Sequence, residues 1–274
     1  METFLIAHDS ELRIYALFLG SLLLLWESGF PARALIDPVI SRWSCNISLF
    51  IFDIFLVRIL LPVSSVGLAI HASNRGWGML NLIDAPVGLE ILLALFLLDA
   101  TAYLFHVMLH RIPLLWRIHA IHHCDKDFDC TTGLRFHPFE ALAAFGVRLG
   151  AIAVLGIPVI AIVCFEVWAV LVGFYTHANI GIPSWIDRGV RKLLVTSNMH
   201  RIHHSAHPQD GMRNFGVVFS VWDRLFGTYR ERSCVSGEGF PVGLAWFNHR
   251  PSLGPARLIA LPLNSAPFKE QTAV

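Results

Sequence analysis

Apolar runs long enough to cross a bilayer leave this chain few folds to adopt. Four stand out: roughly Leu12–Trp26, Ile47–Ile70, Val87–Leu109, and a longer stretch from Phe139 to about Ala178. A bilayer core about 30 Å thick calls for helices of about 20 residues, so the expected fold class is all-α, a polytopic membrane helical bundle. The first run is short for a crossing. The fourth is too long for one, and Gly156-Ile157-Pro158 near its middle supplies a breaker that turns it into a hairpin. About four to five transmembrane helices result. The second and third runs form a similar hairpin around His71-Ala72-Ser73-Asn74-Arg75-Gly76, with Asp84-Ala85-Pro86 leading into the next helix. Composition agrees, since 55% of residues are hydrophobic, 15% are charged and the mean hydropathy is +0.58.

A net charge of +1 names no partner, and no long basic run interleaved with aromatics supports nucleic-acid binding. The five cysteines lack C-x2-C spacing, which argues against a zinc ribbon or disulfide framework and for free thiols in a reducing compartment. The first residues carry Glu2, Asp9 and Glu11 rather than the basic start of a secretory signal.

Ten of the fourteen histidines fall between His106 and His204. They are grouped as His106-x3-His110, His119-x2-His122-His123, His137, His177, and His200-x2-His203-His204. Imidazole is the commonest metal ligand, and repeats at i, i+3 and i+4 share a helix face. His106 and His110 close the third run, His137 opens the fourth and His177 ends it, so an even number of crossings separates them. All ten are therefore expected at one membrane face. Four basic residues between Arg111 and Arg135 and eight between Arg188 and Arg232, against Arg75 alone in the opposite turns, assign that face to the cytoplasm. His8 and His71 then fall on the other side as surface residues. His207 and His249 lie outside the constellation.

Ionisable residues inside the runs are costly unless paired or wetted. Arg148 and Glu166 are equally far from Ile157, and Arg58 is level with Asp99, with Asp53 nearer the cytoplasmic end. Either these pair, or the arginines snorkel singly or line a wet cavity. Asp99, Tyr103, His106 and His110 form one helical stripe, where Asp99 either backs a ligating imidazole or serves Arg58. His137 precedes Pro138 and either ligates or caps the following helix. Asn179 either orients His177 or turns the chain.

Eight to ten imidazoles exceed what one ion takes, so two metals are implied. Nitrogen ligands suit iron, copper, zinc and nickel alike. No motif places the Glu of an H-E-x-x-H zinc protease, and bis-histidine haem ligation leaves the paired H-x2-H-H tracts unexplained.

Together these boxes resemble the fatty acid hydroxylase and sterol desaturase superfamily of integral membrane histidine-box enzymes. The likeness extends through Arg135-Phe-His137-Pro-Phe-Glu140, His177-x-Asn179 and Asn214-Phe-Gly216, and through Trp222-Asp-Arg-Leu-Phe-Gly-Thr-Tyr229, which is similar to bacterial and alkylglycerol-monooxygenase-like members. It covers about Val87 to Arg232. The resemblance implies two iron ions held by His106, His110, His119, His122, His123, His137, His177, His200, His203 and His204. Asp99, Tyr103, Glu140, Asn179 and Asn214 are expected behind them. It also implies O2 as co-substrate, a membrane lipid substrate, and hydroxylation of an unactivated C–H bond, with desaturation by the same centre as the alternative. A separate electron donor is then needed, a ferredoxin, a cytochrome b5-like protein or a pterin reductant. The expected fold adds a cytoplasmic histidine-rich helical cap to the bundle, and aromatic residues around Trp222, Phe226 and Tyr229, with Arg224 and Arg230, are expected either to seat that cap at the interface or to form its core. From another class, a membrane metal-binding or transport protein would spread its ligands along a transmembrane path. The expected organisation is N-terminal helices over residues 1–86, a catalytic domain over 87–232 and a tail over 233–274, disordered in part from Pro251.

Overall fold

The structure, a computed structural model, describes residues 8–235, 240–247 and 253–264. It is all-helical, and five segments are long and apolar enough to cross a membrane. Helix α1 spans Asp9–Gly29. Its 21 residues extend about 31 Å at about 1.5 Å each, so the short first run lies in a helix of spanning length. Helix α2 spans Val39–Leu60 and α3 spans Ser65–Arg75. The second run is therefore not one continuous helix over Ile47–Ile70. Pro62 has no N–H to continue α2, and Ser64 restarts the chain by accepting from the Gly67 N–H at 2.9 Å. Gly76, at φ 65°, ends α3.

Helix α4 covers Val87–Arg111 and α5 covers Pro113–His123, with Pro113 at the first turn where its missing N–H costs nothing. The fourth run divides as its breaker requires, into α6, Pro138–Leu155, and α7, Val159–His177. Gly156, at φ 71°, lies between them in a left-handed conformation that L side chains rarely adopt. Two short helices follow, α8 over Ser184–Val190 and α9 over Ser197–His203. Thr196 caps α9 by accepting from the Met199 N–H.

Inside the bundle, Leu98 of α4, Ile152 of α6, Ile162 of α7 and Ile157 of the break between α6 and α7 form one buried cluster with Ala69 of α3. The outward faces stay apolar and exposed, including Ile51, Phe55, Leu92 and Val154. Only 11% of the most apolar window of Val39–Leu82 is buried, which marks those faces as lipid-facing. The chain is a multi-pass membrane protein.

Toward the histidine end a second cluster packs Leu49 of α2, Ala120 and Ile121 of α5, and Phe247, Leu258 and Leu261 of the C-terminal segment. Pro255–Ala260 is helical and Leu258 is fully buried. This part of the tail is therefore ordered, with Leu258 and Leu261 packed in the same cluster as Ala120 and Ile121 of α5. Residues 265–274, and His249, lie outside the described residues.

Candidate metal centre

Four helices deliver histidines from, or just beyond, their last two turns: α4 with His106 and His110, α5 with His119, His122 and His123, α7 with His177, and α9 with His200, His203 and His204. Helix C-termini carry partial negative charge, so four of them converging favours a cation between them.

The imidazoles sort into two groups. His106, His110, His119, His123 and His203 offer nitrogens all within 4.8 Å of one another, and so do His122, His177, His200 and His204. Each H-x2-H-H tract divides between the two. The i, i+4 pair His119 and His123 enters the first group and His122 the second. The i, i+4 pair His200 and His204 enters the second and His203 the first. One helix thus serves two centres. The groups touch, since the rings of His123 and His204 stack with centroids 4.3 Å apart.

The hydrogen bonds behind the rings fix their tautomers. Nδ1 of His106 donates to the Phe215 carbonyl at 2.8 Å, that of His203 to the Arg213 carbonyl at 2.7 Å, and that of His177 to the Gly173 carbonyl at 2.8 Å. A carbonyl only accepts, so the proton sits on Nδ1 and the Nε2 lone pair faces inward. His122 does the same toward the Arg135 carbonyl at 3.3 Å. Facing lone pairs result: Nε2 of His203 lies 3.1 Å from that of His106, and Nε2 of His177 lies 3.2 Å from that of His122. Two nitrogens each about 2.1 Å from a shared ion lie about 3–4.2 Å apart. Nε2 of His110, His119 and His123 is buried with no hydrogen-bond partner, which leaves each lone pair free for a cation. The donor set fits metal ions.

Burial, reinforced by neighbouring imidazoles, pushes His122, His123, His200 and His204 well below the ordinary imidazole range and takes His203 down to about 3. These side chains are neutral, as ligation requires.

His137 is not in either group. Its Nδ1 accepts from the Phe139 N–H at 3.0 Å, capping α6, and its Nε2 lies 3.2 Å from the Ile259 carbonyl. The residue before a proline is held extended, and here that geometry turns the ring onto the helix start rather than into either histidine group. Of the five residues expected behind the ligands, Glu140 touches a ring, its Oε1 2.8 Å from Nδ1 of His119. Asp99 serves neither His106 nor Arg58. It accepts from the Val218 and Phe219 N–H groups, each at 3.0 Å, and from Trp222 Nε1 at 2.8 Å. Tyr103 bonds Thr228 at 2.9 Å. Asn214, at φ 57°, donates to the Met199 and Arg230 carbonyls. These three hold the 213–229 segment, whose Phe215 and Arg213 carbonyls orient one histidine of each outer box, His106 and His203. Asn179 does not touch His177; its backbone N–H donates to Glu27 and its side chain pairs with Arg33. Trp222 and Tyr229 are engaged within the cap, Tyr229 under Arg224 at 3.7 Å, while Phe226 stacks on Tyr103 and stays exposed.

Sequence reasoning missed the alternate acids Asp125, Asp127 and Asp129 just after the second box. They surround buried Arg42 of α2, with Nη1 2.9 Å from Asp125, Nε 3.9 Å from Asp127 and Nη2 on Asp129. Burial pushes Asp125 up, but Arg42 and Arg135 outweigh it and hold the carboxyl below its ordinary range. Three closely spaced acids in a charge-poor chain were the available signal.

A family model described as fatty acid hydroxylase matches residues 91–228, just over half of the chain. The chain belongs to the fatty acid hydroxylase family. The matched span holds both histidine groups. Among curated relatives of this family member, ornithine lipid hydroxylase OlsE of Rhizobium tropici is 31% identical over 150 residues, covering 53% of this chain and 43% of that protein. Alkylglycerol monooxygenase of Danio rerio is 27% identical over 148 residues, 53% and 32%. Cholesterol 25-hydroxylase of Mus musculus is 27% identical over 159 residues, 54% and 51%. The chain thus spans about a third to a half of the length of these relatives. No solved structure matches it.

Proposed function

We propose that this chain is a membrane-bound non-haem di-iron oxidoreductase that uses O2 to hydroxylate an unactivated C–H bond of a lipid. The observation that carries this reading is the pair of abutting histidine groups with inward Nε2 lone pairs. Gathering at one end of the bundle argues against a transport path. The names of three relatives, each a hydroxylase or monooxygenase, support oxygen insertion into a lipid.

In this reading His106, His110, His119, His123 and His203 hold one iron, and His122, His177, His200 and His204 the other. Iron bound there would supply the O2 activation that side chains cannot. Hydroxylation consumes one O2, two electrons and two protons and yields alcohol and water, so a separate donor is needed. The chain's own part is to hold the ligands neutral and preoriented. Carbonyls fix the tautomers, and the Glu140 carboxylate, 2.8 Å behind Nδ1 of His119, orients that ring. Phe128 and Phe215 wall the groups, with ring centroids 5.2 Å from His204 and 5.7 Å from His106. The basic residues of the histidine side support a cytoplasmic position for it, where a soluble donor would reach it.

Two measurements test this. Mössbauer spectroscopy and metal analysis on protein expressed with iron-57 are expected to show about two coupled irons per chain. Turnover of candidate lipids under 18O2 is expected to add one labelled oxygen. A stoichiometric single zinc with no iron overturns the reading, and a product that loses two hydrogens without gaining oxygen replaces hydroxylation by desaturation.

A further inference from the structure

Within the membrane part, a cavity of about 350 Å³ opens between α1, α2, α6 and α7, within the size range of small-ligand pockets. Its lining is unusual in charge. Arg13 of α1, Arg58 of α2 and Arg148 of α6 share it with a single carboxylate, Glu166 of α7. That carboxylate is already shared: its Oε2 lies 2.7 Å from Arg13 and its Oε1 3.0 Å from Arg148. Arg58 forms no ion pair or hydrogen bond among the described residues. It lies exposed in the last turn of α2, within reach of the cavity it lines, and it has the planar fork that matches a carboxylate or phosphate.

The remaining wall is apolar, with Leu17, Phe50 and Phe174 among its residues. The cavity extends toward the histidines as far as Gly133 and Gly173. A side chain at Gly133 would meet the Gly173 carbonyl at 2.8 Å and Nδ1 of His177 at 3.0 Å, so this end lies against the far side of a proposed ligand. Glu166 and Gly173 are two turns apart on α7, about 10 Å. An arginine-lined mouth and an apolar passage of that length describe an amphiphile.

We propose that this cavity binds the anionic group, carboxylate or phosphate, of a single-chain lipid. Arg58 holds the charge, beside the Arg13–Glu166–Arg148 group, and the hydrocarbon chain runs toward His177. The site goes beyond the proposed oxygen chemistry and does not depend on the identity of the metal.

Equilibrium binding to the full chain in neutral detergent tests it, with palmitate, hexadecyl phosphate, hexadecanol and inorganic phosphate as probes. Palmitate and hexadecyl phosphate are expected to bind at least tenfold more tightly than hexadecanol, and inorganic phosphate is expected not to displace them. Arg58→Gln, which breaks no existing ion pair, is expected to reduce the anion preference to below threefold. Equal binding of palmitate and hexadecanol, displacement by millimolar inorganic phosphate, or an unchanged preference in Arg58→Gln each overturns the proposal. The readout is binding, so a failed iron assay leaves it standing and a failed lipid assay leaves the iron reading intact.

Discussion

A histidine's ring nitrogens say what it is for. Where Nδ1 gives its proton to a carbonyl and Nε2 faces another lone pair, as in His203 and His106, the ring is set to hold an ion. Where Nδ1 accepts from a helix N–H, as in His137, it serves the backbone. His203→Ala is therefore expected to lose bound metal and activity with the chain still in the membrane. His137→Ala is expected to keep its metal and lose about 1 kcal/mol with the cap. Metal analysis and thermal unfolding of both variants check this, and metal loss in His137→Ala would restore it as a ligand. Acid gives a second prediction. The folded value of His203, about 3, lies below the ordinary 6.5, so between those values the unfolded chain binds more protons. Stability from this group is present above pH 6.5 and is lost as pH falls toward 3. Protons also compete with metal for the same lone pairs. Metal release and a falling melting temperature are expected together on titration below 6.5, and a melting temperature independent of pH between 6.5 and 4 would contradict the assignment of neutral rings.

Elements carry this site because their ends meet. The tie between α2 and the loop after the second box rests on Arg42 among Asp125, Asp127 and Asp129, with all four side chains nearly closed to solvent. Removing one partner of a buried ion pair costs about 3–5 kcal/mol because the other charge stays behind. Arg42→Leu is expected to destabilise by about that amount and to loosen the His122 region. Chemical denaturation in detergent measures the first, and retention of full metal content would refute the second. This contact also shows what a sequence hides. The helical runs, the Gly156 break and the histidine boxes were legible because each is local: periodicity, a breaker and i, i+4 spacing all act within a few residues. The partners of Asp99 lie at Val218, Phe219 and Trp222, more than a hundred positions away, and no local pattern announces them. Pro62 was local and was overlooked inside an apolar run. The division of each H-x2-H-H tract between two centres needed the neighbouring helices to be in place.

At the scale of the molecule, one end of the bundle differs from the other in both chemistry and charge. Every grouped histidine lies at the C-terminal end of α4, α5 or α7, or in α9 and its cap. The same end carries the basic segments around Arg111–Arg135 and Arg188–Arg232, while the opposite turn holds Arg75. Positive loops are retained in the cytoplasm during insertion, which supports the proposal that the oxygen chemistry faces the compartment of soluble reductants. Cys234 is exposed at the histidine end and Cys164 is exposed within the apolar span of α7. In intact cells or right-side-out vesicles, a membrane-impermeant maleimide is expected to leave Cys234 unlabelled, and to label it once the membrane is permeabilised. A cysteine introduced at exposed Ser73, beside Arg75 at the opposite end, is expected to react without permeabilisation. The reverse pattern would put the histidines outside and require a donor on that side of the membrane.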